Sequence, residues 1–253
     1  MLTTTWAPTT VAISLKMYFS ASRTAAYCRS LADLANTDNG IISGATDLMI
    51  LPTFVSLVGA LQAVADSKVY IGAQDLAVED SGPFTGEVSG AELAEIGCTH
   101  VEIGHAERRN LFGDTDSVVA AKARAALRHK LVPLLCVGEP AAASAAETAQ
   151  LCVRQVVSAT TGAPQGRIII AYEPIWAIGA HKPAPSSYVT DVCQRIRIAL
   201  TDHLPDFAIL YGGSAGPGLL TDLGGSVDGL FLGRYAHNPA AVADVLAEAA
   251  KPR

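Results

Sequence analysis

Short apolar runs rich in Val, Ile and Leu recur eight times along the chain, alternating with stretches of helical spacing. The runs are Val11–Met17, Thr46–Leu51, Lys68–Ala73, Thr99–Gly104, Leu131–Val137, Arg167–Ile170, Phe207–Tyr211 and Val227–Leu232. They are apolar almost throughout rather than strictly alternating. That predicts strands buried on both faces, and hence parallel pairing. Helices are expected at Ala21–Ala35, around Leu57 and Leu61, and at Gly90–Ile96, Asp114–His129, Ser144–Ser158, Ser187–His203 and Pro239–Ala249. Ser89 with Glu92 forms an expected capping box, and Ser187 and Asn238 are further expected N-caps. Eight strand–helix pairs in 253 residues match the size of a closed eight-stranded parallel (β/α)8 barrel. An open doubly wound sheet would put a G-x-G-x-x-G turn after the first strand, and none stands there. No linker divides the chain, so residues 1–253 read as a single domain.

Half of the residues are apolar and 17% are charged, with a net charge of -6. There is no basic field for nucleic acid or an anionic membrane, so an anionic substrate must be caught by local donors. The five cysteines are scattered without a CxxC pair. They read as reduced core thiols, with no disulfide frame and no metal site. The Thr-rich start lacks the form of a signal peptide, and no apolar run approaches membrane-spanning length. The expectation is a cytosolic protein.

Barrel enzymes place their chemistry at the C-terminal ends of the strands. Lys16 stands near the end of the first strand. His105 follows the fourth, with Glu107 two residues on, and Glu173 follows the sixth. Gly212-Gly213-Ser214 and Gly233 follow the seventh and eighth. The glycine turns suit backbone N–H contacts to a phosphate. A buried Glu can take a proton from carbon beside a carbonyl, a neutral His can donate to that carbonyl, and Lys can stabilise the developing negative charge. Ala177–Ala180 suits a loop that closes over a ligand. The irregular segment Gln74–Glu87 has the length of a functional or interface loop.

Several motifs in order make the resemblance specific. These are Leu15-Lys16-Met17, Gly72-Ala73-Gln74-Asp75, Phe84-Thr85-Gly86-Glu87, Gly104-His105-Ala106-Glu107-Arg108-Arg109, Cys136-Val137-Gly138-Glu139, Ala171-Tyr172-Glu173-Pro174-Ile175-Trp176-Ala177-Ile178-Gly179 and Tyr211-Gly212-Gly213-Ser214. From end to end the chain resembles triosephosphate isomerase, whose fold is the TIM barrel. The resemblance implies Glu173 as the base, His105 as the electrophile and Lys16 as the electrostatic group. It implies Gly179, Ser214 and Gly233 as phosphate ligands and no cofactor or metal. It also implies a homodimer in which the Gln74–Glu87 loop enters the neighbour and brings Thr85 near its active site.

Four positions depart from the family pattern. Ser14 stands for Asn two residues before the Lys, Ala106 for Ser after the His, His181 for Gly at the far end of the lid, and Arg234 for a second Gly after strand eight. Ser14 belongs with the substrate-binding residues, and Arg234 either adds a phosphate contact or crowds a longer substrate. The default expectation is interconversion of dihydroxyacetone phosphate and glyceraldehyde 3-phosphate through an enediolate. The alternatives are an isomerase of a four-carbon ketose phosphate of the erythrulose phosphate type, motivated by the departures, and a non-catalytic phosphate-metabolite binder. Glu139 is expected to be buried and ion-paired.

Overall fold

The computed structural model describes residues 7–177 and 184–251. Its elements run β1 Thr9–Ser14, α1 Ala21–Ala35, α2 Asn39–Ser43, β2 Thr46–Leu51, α3 Leu57–Ala63, β3 Tyr70–Ala73, α4 Gly90–Ile96, β4 His100–Ile103, α5 Ala106–Phe112, α6 Asp116–Arg128, β5 Val132–Val137, α7 Ala145–Thr160, β6 Ile168–Tyr172, α8 Ser186–Leu200, β7 Phe207–Tyr211, α9 Leu219–Leu223, β8 Gly229–Leu232 and α10 Pro239–Ala249. The strands stand in sequence order around a closed barrel, every neighbouring pair parallel, and β8 pairs back onto β1. This is the expected eight-stranded TIM barrel.

Strand alternation sorts the apolar side chains into two clusters. Ala12, Met49, Leu134, Ala171, Leu210 and Phe231 belong to a cluster inside the barrel. The larger cluster, including Val11, Ile13, Val101, Ile103, Ile170 and Leu232, packs between the strands and the surrounding helices. Two residues beyond Ala12, Ala171, Leu210 and Phe231 stand Ser14, Glu173, Gly212 and Gly233. The inner faces of four strands therefore deliver Ser14, Glu173 and two glycines to the upper end of the barrel. On β4, Val101 and Ile103 face outward, which leaves His100 and Glu102 for the interior.

The structure corrects several local expectations. β1 ends at Ser14, so Lys16 lies in the turn beyond the strand. α8 begins at Ser186, one residue before the expected cap, and Pro185 at its N-cap makes no side-chain cap bond. Ser89 accepts from the Glu92 N–H, but the full reciprocal box forms elsewhere, at Ser144 and Glu147. The charged stretch after β4 is itself a helix, α5. All five cysteines are buried free thiols. Among the described residues, no helix is long and apolar enough to cross a membrane.

Candidate active site

A cavity of about 490 Å³ opens at the C-terminal ends of the strands, and Ser14, Lys16, His105, Glu173, Gly212, Gly213, Ser214, Gly233 and Arg234 line it. Every described site position read from the sequence thus reaches one cavity, except Thr85, which is exposed on its loop. Gly179 and His181 lie outside the described residues.

Glu173 continues the inner face of β6 and is 6% exposed. Its Oε2 accepts no hydrogen bond among the described residues and lies 3.6 Å from His105 Nε2. Burial pushes its carboxyl up to about 8, the nearby Glu102 adds to the rise, and Lys16 draws it down. Two glycines make room for it. A Cβ on Gly212 would sit 2.6 Å from Glu173 Cγ, and one on Gly138 would sit 1.8 Å from the Glu173 carbonyl oxygen.

His105 is fixed by the start of α5, where its Nδ1 accepts from the Glu107 N–H at 3.1 Å. An Nδ1 that accepts a bond carries no proton, so the imidazole proton sits on Nε2, facing Glu173. Burial and the Lys16 charge pull its titration down to about 4. The ring is therefore a neutral N–H donor across the physiological range.

Lys16 donates to Glu107 Oε1 at 2.8 Å. Burial works against its charge, but Glu107, backed by Glu173 and Glu102, outweighs that and holds the ammonium above its ordinary range. Lys16 has φ 48°, a left-handed conformation rare for a side-chain-bearing residue. Gln74 clamps this turn, donating from Nε2 to the Lys16 carbonyl at 3.0 Å and to the Leu51 carbonyl at 2.8 Å. Strain held in place by its surroundings is a common mark of a functional position.

The glycine turns leave β7 and β8 side by side. Ser214 lies in the first, its hydroxyl donating to the Ala177 carbonyl at 3.3 Å. Gly233 opens a short 3-10 turn that carries Arg234, which is exposed and makes no ion pair among the described residues. Trp176 donates to Glu139 Oε1 at 2.7 Å, and the hydroxyls of Tyr188 and Tyr172 donate to the same oxygen. Glu139 is thus buried as expected but held by hydrogen-bond donors. Among the described residues it has no ionic partner.

Two features of this region were missed in the sequence. Glu102 lies inside the barrel, 3% exposed, and accepts from Ser14 Oγ at 2.9 Å. The available signal is a carboxylate in the middle of a buried strand, a position that strand-end patterns do not mark. Lys122 is also buried, bonded to Asp75 at 2.7 Å and to Asp114 at 2.9 Å. Arg108 joins the same two carboxylates, tying the start of the 74–87 loop to α5 and α6. Among the described residues, no group of His, Cys, Asp and Glu could hold a metal ion.

The triosephosphate isomerase family model matches residues 9–249. The chain belongs to the triosephosphate isomerase family. It is accordingly an enzyme, an isomerase of the intramolecular oxidoreductase type. Among its relatives is an L-erythrulose-1-phosphate isomerase of Pectobacterium atrosepticum, 47% identical over 95% of each chain. A triosephosphate isomerase of Alkalilimnicola ehrlichii is 40% identical over 88% of this chain and 91% of its own. The crystal structure of triosephosphate isomerase from Bartonella henselae superposes with a TM-score of 0.78 at 28% identity, covering 96% of this chain and 98% of the other.

Proposed function

We propose that the protein isomerises a four-carbon ketose phosphate of the erythrulose 1-phosphate kind. The observation that carries this reading is Ser14. Where the triosephosphate isomerase pattern has Asn, a shorter side chain is drawn back toward Glu102, which leaves room beside Lys16 and His105. The likeness to the Pectobacterium relative, spanning nearly all of both chains, supports the same reading. It departs from the default drawn from the sequence motifs, because the triose substrate leaves that room unfilled.

The chemistry keeps the trio and changes the carbon. In erythrulose 1-phosphate C1 carries the phosphate, so the carbonyl at C2 can move only toward C3. Glu173 takes the proton from C3, and the electron pair forms the C2–C3 double bond of an enediolate. His105 Nε2–H and the Lys16 ammonium stabilise the oxygen on C2. Glu173 then returns the proton to C2, the hydroxyl proton passes from O3 to O2, and the carbonyl stands at C3. The product is the ketose phosphate numbered from its other end. The N–H groups of the Gly212–Ser214 turn and of Gly233 hold the phosphate, with Arg234 at the rim.

We infer that the working form is a homodimer. Beside the site a second cavity, of about 280 Å³, is lined by Ser14, Lys16, Glu102, Phe54, Gln74 and Phe112 among others. Met17, Val55 and Leu111 stand largely exposed nearby. The exposed loop tip with Thr85 suits such a cavity in a neighbouring copy.

The test compares kcat/KM on erythrulose 1-phosphate and on glyceraldehyde 3-phosphate, with Glu173→Gln as control. The expected outcome is a clear preference for the four-carbon substrate and a loss of about a thousandfold or more in the control. A preference for the three-carbon substrate would return the chain to the triose reaction. Absence of Glu173-dependent turnover on both substrates would overturn Glu173 as the base and the four-carbon reading with it.

A further inference from the structure

Inside the barrel, β4 stands opposite β8, four strands away around the ring. A substrate whose phosphate sits at the β7 and β8 turns extends past Glu173 and His105 toward the opposite wall. There the interior is not apolar. Glu102 stands on that wall, and Ser14, at the end of β1 beside β8, reaches across the interior to donate its Oγ hydrogen to Glu102 Oε2 at 2.9 Å, so the Ser14 lone pairs remain free to accept. Glu102 Oε1 lies 4.0 Å from His105 Nε2 and makes no hydrogen bond among the described residues. Glu102 also borders the second cavity, which shares Ser14, Lys16 and His105 with the first.

A carboxyl at such a depth is costly unless a polar partner uses it. Ser14 satisfies one of its oxygens, and Glu102 borders the second cavity, which adjoins the first at Ser14, Lys16 and His105. On the functional reading above, the fourth carbon adds a hydroxymethyl group to the carbon that loses its proton, and that group needs an acceptor at this end of the pocket. We propose that Ser14 and Glu102 form the specificity subsite for the terminal hydroxyl of the four-carbon substrate, with Ser14 Oγ accepting from that hydroxyl and Glu102 acting as the positioning residue that keeps Ser14 turned to accept. A three-carbon substrate has no terminal hydroxyl to donate and leaves the acceptor position on Ser14 unused. A site built to bind a hydroxyl discriminates strongly against a substrate that lacks one.

The inference rests on the four-carbon reading, and one experiment separates the two. Steady-state kcat and KM are measured for the wild type, Glu102→Gln and Ser14→Ala on erythrulose 1-phosphate and glyceraldehyde 3-phosphate. Thermal transitions confirm that each variant is folded. The expected result is that the ratio of four-carbon to three-carbon kcat/KM falls at least tenfold in both variants, with the four-carbon KM rising. A merely structural role would lower both substrates together and leave the ratio unmoved. That outcome, in a wild type that prefers the four-carbon substrate, overturns this inference alone. A wild type without four-carbon turnover overturns the functional reading and this inference with it. If Glu102→Gln does not fold, the ratio in Ser14→Ala decides.

Discussion

At the scale of single residues, the base we propose must be an anion to take a proton and poorly solvated to hold one. Glu173 meets both demands through its neighbours. Burial raises it, Glu102 raises it further by repulsion, and Lys16 limits the rise. Glu102 is itself raised to about 7, chiefly by burial. The sign of two measurable effects follows. In the free enzyme kcat/KM rises with pH as Glu173 loses its proton. Glu102→Gln removes a like charge, so the rising limb of the pH profile should move to lower pH. An unmoved or upward-shifted limb would show that Glu102 does not act on Glu173. Stability runs the other way. A carboxyl raised in the folded state contributes stability that is fully present below the ordinary Glu range, and that is lost as pH rises through the folded value. Glu173→Gln should therefore melt at the wild-type temperature near pH 5 but higher near pH 8. The gain is about 2–4 °C for each kcal/mol relieved, and calorimetry at the two pH values checks it.

At the scale of elements, the turn after β7 shows how closely backbone and chemistry are matched. Gly212 is needed for space and not for a special dihedral, because a Cβ there would meet Glu173 Cγ at 2.6 Å and Oε1 at 2.9 Å. Gly212→Ala should keep the barrel, since the residue follows the strand, but push the carboxylate off its line. Misplacement on the order of 1 Å costs about a hundredfold in rate, so kcat should fall by that order with the melting temperature little changed. Full activity in the variant would mean that Glu173 has slack the packing does not suggest. The same scale shows what the sequence made legible. β2, α1, α4, β7 and α10 lie where their patterns place them. They are bounded by residues with local meaning, such as Pro52 after β2 and Asn238, which caps α10 by accepting from the Ala240 N–H. α5 was hidden because its cap is a histidine and its first turn is dense in charge. Glu102 was hidden for another reason. Its partner Ser14 lies 88 residues away, and only closure of the barrel brings β1 and β4 face to face across the interior. Strand-end positions can be read from local pattern, whereas a pair spanning the interior depends on topology.

At the scale of the whole molecule, the single chain leaves apolar side chains near Lys16 uncovered. Met17 is 90% exposed and Val55 88%, with Leu111 and Phe112 also largely uncovered. Apolar side chains gathered beside a functional cavity mark an interaction surface. Lys16 and Ser14 border both this second cavity and the first, so on the proposed reading a partner that covers the surface also steadies the Lys16 turn. A second copy offers a suitable piece in its exposed loop tip, which includes Phe84 and Thr85, and the Arg108–Asp75–Lys122 network holds the start of that loop rigid. The chain should therefore sediment at twice its 26.2 kDa. Replacing Met17 and Phe112 together by Glu places two charges where apolar contact is required, and the variant should sediment at the single-chain mass. Its kcat/KM should drop at least tenfold although both positions lie outside the reaction cavity, because the Lys16 turn loses its cover. Sedimentation velocity and turnover on the same sample check both halves. A wild type that is monomeric and fully active would show that the Gln74 clamp and the Glu107 ion pair hold Lys16 without help from a second copy.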